Sequence, residues 1–216
     1  MKPGTRALGV AVSASDRDDP TRATVAGAVV GADRTVDGLS FSTCTVGGTD
    51  ATAAVIDCLD RLGREDVRHL LIAGVAPAWF NVIDLARVHG AADRPVLAAS
   101  FEAGDDLASP LREQFAGDEL DRRLATYAPL PDRVPVHLGR PDDAEGVADD
   151  GSGGADAEPE LWVRAVGTDV DEARRIVRAH TPDGRTRPEP LRVAAVAARA
   201  GRSYADRERR DGGTDG

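Results

Sequence analysis

The chain of 216 residues has the length of one ordinary domain, and with 41% apolar and 30% charged residues it can bury a core. No run approaches the roughly 20 consecutive apolar residues of a membrane span, and the apolar stretch at the N-terminus is too short for a signal peptide, so a soluble cytoplasmic protein without a membrane partner is expected. The net charge of −10 repels nucleic acid as a whole, so any nucleic-acid role needs a local arginine patch or metal ions.

Residues 6–12 (RALGVAV) read as a short strand, followed by an acidic loop. Segments 22–31 and 36–46 are β-rich and joined by Ala32-Asp33-Arg34-Thr35, which predicts an antiparallel meander. From Asp50 the period changes. Val55, Ile56, Leu59 and Leu62 share one helical face and Gly63 is a natural stop. The nearly continuous apolar run 67–75 reads as a strand covered on both faces. A helix is expected over 79–90, a buried strand over 95–100, and one or two helices over 106–127, broken near Gly117.

Between residues 141 and 160 there are eight acids and no base around GSGGAD, the composition of a disordered surface insertion. A strand over 161–167 and a helix over 170–179 follow. Pro190 opens a last helix with Leu191, Ala194, Ala195 and Ala198 on one face, and a frayed tail is expected beyond Gly201. The order β-β-β-α-β-α-β describes an α/β mixed sheet, antiparallel in its first half and parallel in its second. We read residues 1–205 as one domain and 206–216 as a flexible tail.

Lys2 is the only lysine beside 26 arginines, and there are 36 alanines. Acidic, lysine-poor chains of this kind are typical of proteins from high-salt archaea; a GC-rich genome gives the same bias. Cys44 and Cys58 are too few for a disulfide framework or a four-ligand zinc site, and read as small buried hydrophobes. His69, His89, His137 and His180 fall on separate elements without metal-ligand spacing. No hydrolase elbow, P-loop, zincin motif or paired C-x-x-C is present.

Three stretches carry chemistry. TVGGTDAT (45–52) ends a strand at a helix start, where Thr49 or Asp50 can cap the helix or Asp50 can hold a divalent cation. AGVAPAWFNVIDL (73–85) puts Trp79, Phe80, Asn81 and Asp84 just beyond a central strand, where α/β sheets keep their sites. RPEPLRVA (187–194) carries Arg192 one turn into the last helix, facing a carboxylate or a phosphate.

Together with RPVLAAS and GTDVDEARRIVRAHT, these stretches resemble the archaeal domain-of-unknown-function ninety-nine family, labelled endonuclease dU. That family is in turn similar to endonuclease V, a metal-dependent nuclease of ribonuclease-H-like fold that cleaves beside deaminated bases. The resemblance covers roughly residues 6–138 and 160–200 and implies that fold, a DNA or RNA substrate and Mg²⁺. It implies that Asp50 holds the metal; in an enzyme of this kind Asn81 and Asp84 would orient phosphate or water, Trp79 and Phe80 would bind substrate, and Arg192 would neutralise phosphate. The chain departs from the endonuclease V pattern at two carboxylates: Ala11 stands on the first strand, and Ala73-Gly74 replaces an Asp-Gly pair. The expected lysine has no counterpart near Ala99-Ser100, and Thr168 stands where a histidine is expected. Two-metal phosphodiester cleavage needs carboxylates that bridge ions about 4 Å apart. Asp84, or Asp16, Asp18 and Asp19, would have to reach in beside Asp50. The alternative is a catalytically inactive ribonuclease-H-like protein that binds nucleic acid, a nucleotide or a protein partner.

Overall fold

Small and β-branched residues make up most of RATVAGAVVG, as suits a strand covered on both faces, and this segment forms β2 (Arg22–Gly31) inside the sheet. The computed structural model describes residues 5–14, 22–102, 106–138 and 160–212, with side chains through residue 208. β1 (Arg6–Ser13), β2 and β3 (Val36–Thr45) form the expected antiparallel meander. After α1 (Ala51–Leu62), β4 (Val67–Ala73) pairs parallel with β1, and β5 (Val96–Ser100) pairs parallel with β4. The parallel half ends there. β7 (Leu161–Val166) runs antiparallel to β5, and β6 (Val134–Val136) closes the sheet in the order β3-β2-β1-β4-β5-β7-β6. The sequence reading missed β6, which has Pro135 at its centre; a proline is tolerated on an edge strand because one side needs no N–H donor.

Helices cover both faces. α1 and α3 (Leu85–Ala92) bury Val55, Cys58, Leu85 and Val88 against Leu8, Val25, Leu70 and Ile72. On the other face α6 (Val170–Ala179) and α7 (Glu189–Gly212) bury Ile176, Val177 and Leu191 against Leu71, Leu97 and Val163. Each such side chain contributes about 2 kcal/mol when fully buried. The two thiols lie inside, burial pushing Cys44 up to about 12 and Cys58 to about 11, so both stay protonated.

α7 crosses β1 so closely that a Cβ on Gly9 would sit 2.1 Å from the Pro190 carbonyl oxygen. Only glycine permits that crossing. The helix does not fray at Gly201 but continues to Gly212. Gly201 lies against the Phe41 ring, and the Arg202 guanidinium donates to the Ala14 carbonyl.

The expected helix over 79–90 is a correction. A four-residue turn, α2 (Pro77–Phe80), winds left-handed at Ala78, Trp79 and Phe80, with φ of 46°, 60° and 56°. Asn81–Asp84 is not helical, and α3 begins only at Leu85 because Asp84 caps it by accepting from Arg87 N–H at 3.0 Å. α4 (Ala108–Gln114) and α5 (Gly117–Tyr127) divide at Phe115 and Ala116, where the break was expected. The acidic stretch from residue 141, apart from Glu160, and Asp16, Asp18 and Asp19 lie outside the described residues. Among the described residues no helix is long and apolar enough to cross a membrane.

Candidate functional site

Parallel strands deliver the loops that follow β4 and β5 to one end of the sheet, where the β3–α1 loop also arrives. There Asp50 makes none of the side-chain capping bonds expected of it. Its carboxylate turns back to Thr45, accepting from the backbone N–H at 2.9 Å and from the hydroxyl at 2.8 Å. Asn81 Nδ2 donates to Asp50 at 2.7 Å and to the Thr45 carbonyl at 2.9 Å. Asn81 also does the capping: its Oδ1 accepts from Ala51 N–H at 2.9 Å, filling one of the orphan donors of α1. Burial works to raise the Asp50 carboxyl, but the donors from Thr45 and Asn81 outweigh it and hold the group below the usual carboxylate range.

Asp84 stands on the far side of the same loop. Its backbone N–H donates to the buried Thr52 hydroxyl at 3.0 Å, while its carboxylate caps α3. The structure therefore joins Asp50 to Asn81 directly, and Asp84 to α1 only through Thr52. Arg192 is elsewhere. It lies in the opposite helical layer, half-exposed and doubly bonded to Glu189, whose carboxylate also feels Arg34 of the β2–β3 turn.

The left-handed turn is held from both sides. Gly47 N–H donates to the Ala78 carbonyl at 2.8 Å, and Arg123, 3% exposed, donates to the carbonyls of Phe80, Glu119 and Gly47. Burial lowers the Arg123 guanidinium, with Glu119 pulling the other way. Its plane lies 3.7 Å above the Phe115 ring, which meets Phe80 edge-on, and Phe80 meets Trp79 at 5.4 Å. Trp79 ends this series of rings, 37% exposed. Thr45, Thr52 and Arg123 were not singled out from the sequence. Thr45 ends the TVGGTD strand and could have been found there; nothing local marks Arg123.

The donor set does not fit a resident Mg²⁺ ion. Such an ion takes oxygen ligands, with one or two carboxylates usual, but both oxygens of Asp50 already accept protein donors. Ala11 and Ala73 bring methyl groups packed beneath α7, with Ala194. Among the described residues no group of three or more His, Cys, Asp or Glu converges to hold a metal.

The sequence profile of the family described as Endonuclease dU matches residues 3–201. A UPF0215 protein of the archaeon Thermococcus kodakarensis is 29% identical over 205 residues, covering 93% of each chain. The crystal structure of a protein of unknown function from Archaeoglobus fulgidus superposes with a TM-score of 0.67 at 23% identity, over 91% of this chain and 97% of that one. Endonuclease V of Ciona intestinalis, solved with a 24mer DNA containing an inosine followed by a ribo-adenosine, gives 0.56 at 11% identity, over 94% and 87%. At these identities the likeness establishes the fold, which is that of endonuclease V and so ribonuclease-H-like.

Proposed function

This chain belongs to the endonuclease dU family, and from that premise we propose that it is a nucleic-acid endonuclease directed to strands carrying deaminated bases, which it engages at the carboxyl end of the sheet. The observation that carries this reading is the Trp79 turn. Three consecutive non-glycine residues are held left-handed, at about 1–2 kcal/mol each, and such strain persists where the surroundings over-determine it. Here Arg123 and Asn81 do so, and the result is a part-exposed aromatic ring against Gly47, two residues before the Asn81 that bonds Asp50. A base stacked on such a ring gains about 1–3 kcal/mol irrespective of its identity. In this reading Trp79, backed by Phe80, is the stacking surface, and Asn81 fixes the turn relative to Asp50. Asp84 acts through α3. The endonuclease V of Ciona intestinalis, which shares the fold, was solved with inosine-containing DNA, and that supports the substrate class.

A second reading, binding without hydrolysis, is favoured by the single carboxylate and its saturated oxygens. Both are tested by incubating the protein with uracil- and inosine-containing DNA and RNA at molar KCl, with Mg²⁺, Mn²⁺ or EDTA. Cleavage beside the deaminated base, abolished in Asp50→Asn, supports the first reading. Selective binding without cleavage, weakened at least tenfold in Trp79→Ala, supports the second. No preference for deaminated strands in either assay would overturn both.

A further inference from the structure

A cavity of about 610 Å³ opens at the ends of β4 and β5, against the Gly74–Pro77 loop. Its floor is made of Ala73, Ala98 and Ala99, so the sheet itself leaves the space. At Gly74, φ is 78° and a Cβ would meet nothing within 4 Å. Volumes of roughly 300–1,000 Å³ are those of small-molecule sites.

Three arginines from three separate segments line this cavity: Arg133 before β6, Arg164 on β7 and Arg187 before α7. Several arginines elsewhere in this acidic chain pair with carboxylates, as Arg64 does with Asp66, Arg175 with Glu172 and Arg192 with Glu189, while Arg94 and Arg123 bond backbone carbonyls. The cavity arginines are of the second kind. Arg133 donates to the Glu102 carbonyl at 2.7 Å and lies over the Trp162 ring. Arg164, 9% exposed, donates to the Pro131 carbonyl and to the Tyr127 hydroxyl. Arg187 lies 4.1 Å from the centre of the Phe101 ring. Among the described residues neither Arg164 nor Arg187 has a carboxylate within ion-pair distance. Carbonyls and ring faces orient a guanidinium without neutralising it, so the charge stays available to a ligand.

Val75, Pro77, Leu107 and Pro110 give the lining an apolar part, and it also holds two carboxylates, Glu102 and Asp106, the latter accepting from Ala108 N–H at 2.8 Å. The Tyr127 hydroxyl accepts from Leu107 N–H and from Arg164, which leaves its own proton to donate. Cationic forks suit phosphate, and a bare phosphate would leave the apolar part empty. We infer that this cavity binds a nucleoside monophosphate, its phosphate on Arg187 and Arg164 and its base against the apolar part. The same phosphate monoester is offered by a free nucleotide and by the 5′-phosphorylated end of a strand. Asp50 does not line this cavity, whereas Ala73-Gly74 and Ala99-Ser100, which stand where the endonuclease V pattern has catalytic residues, do; its occupation requires no cleavage.

The test is titration calorimetry on the full chain, at the lowest KCl concentration that keeps it folded. The ligands are AMP and IMP, their unphosphorylated nucleosides, and a short oligonucleotide with or without a 5′-phosphate. The phosphorylated ligand is expected to bind at least tenfold more tightly than its unphosphorylated counterpart. Preference among the nucleotides identifies a free ligand; preference confined to the oligonucleotide identifies a strand end. Arg187→Gln, a half-buried side chain whose loss leaves the core intact, is expected to abolish the phosphate preference, and Arg187→Lys to restore part of it. Equal binding with and without phosphate, no binding of any of these ligands, or an unchanged preference in Arg187→Gln would overturn the inference. Any of these results leaves the deaminated-strand assays unaffected.

Discussion

His180 ends α6 with its ring 3% exposed, and neither ring nitrogen has a hydrogen-bond partner among the described residues. Burial, and then the neighbouring His69 ring at 6.0 Å, push its pKa down to about 4 from 6.5. Because the folded value is depressed, the unfolded chain takes up the proton first as pH falls. Stability tied to this group is therefore intact above about pH 6.5 and is lost progressively down to about pH 4. Each unit is worth about 1.4 kcal/mol, so the loss is about 2 kcal/mol at pH 5 and about 3 kcal/mol at pH 4. His69, also lowered by burial, adds a loss of the same sign. His180→Leu fills nearly the same volume and cannot titrate. Urea denaturation of both proteins at pH 7.5, 6 and 5, in the same KCl, lets the carboxylate contributions cancel in the difference. The variant is expected to gain about 2 kcal/mol on the parent between pH 7.5 and 5. Parallel curves over that range would show that the ring is not held neutral and dry.

Asp50→Asn places an amide against the donors of Thr45 and Asn81, so a loss of about 2 kcal/mol is expected in thermal or urea melts; an unchanged midpoint would mean that Asp50 is not bonded as described. Gly9→Ala drives a methyl into the Pro190 carbonyl and should cost at least about 3 kcal/mol, or prevent soluble expression; a melt within about 0.5 kcal/mol of the parent would refute the close crossing. With 37 acidic against 27 basic residues, stability should rise between low salt and molar KCl as self-repulsion is screened, and a flat dependence would return the composition to genomic bias.

Strands β1 to β5 and helix α1 were legible because the pattern of apolar residues changes period where the structure changes. The left-handed turn was not. Trp79 and Phe80 have no propensity for that conformation, and what imposes it is Arg123 bonding the Phe80 carbonyl from 43 residues away. Asp50 offered two local readings, cap or ligand. The side chain that actually caps α1 is Asn81, 30 residues from the N–H it accepts, so no window around Asp50 contained the answer. Two of the cavity arginines, Arg133 and Arg164, come from segments that the β7–β6 pairing brings together, and Arg187 comes from the connection before α7. Periodicity reports burial along one element; it says nothing about which loops meet.

The passage of α7 over Gly9 has a consequence for how the chain acquires its structure. The helix that covers β1 and β2 is the last of the described elements, and the Arg202 to Ala14 contact spans 188 residues. During synthesis the meander is made first, yet Ala26, Ala28 and Val30 lack their cover of Ala194, Ala197 and Ala198 until α7 leaves the ribosome. Contacts of such separation slow folding and leave intermediates with bare apolar sheet. The first strands must wait for the last helix, and a chain cut before Pro190 would present that face to every other chain in solution.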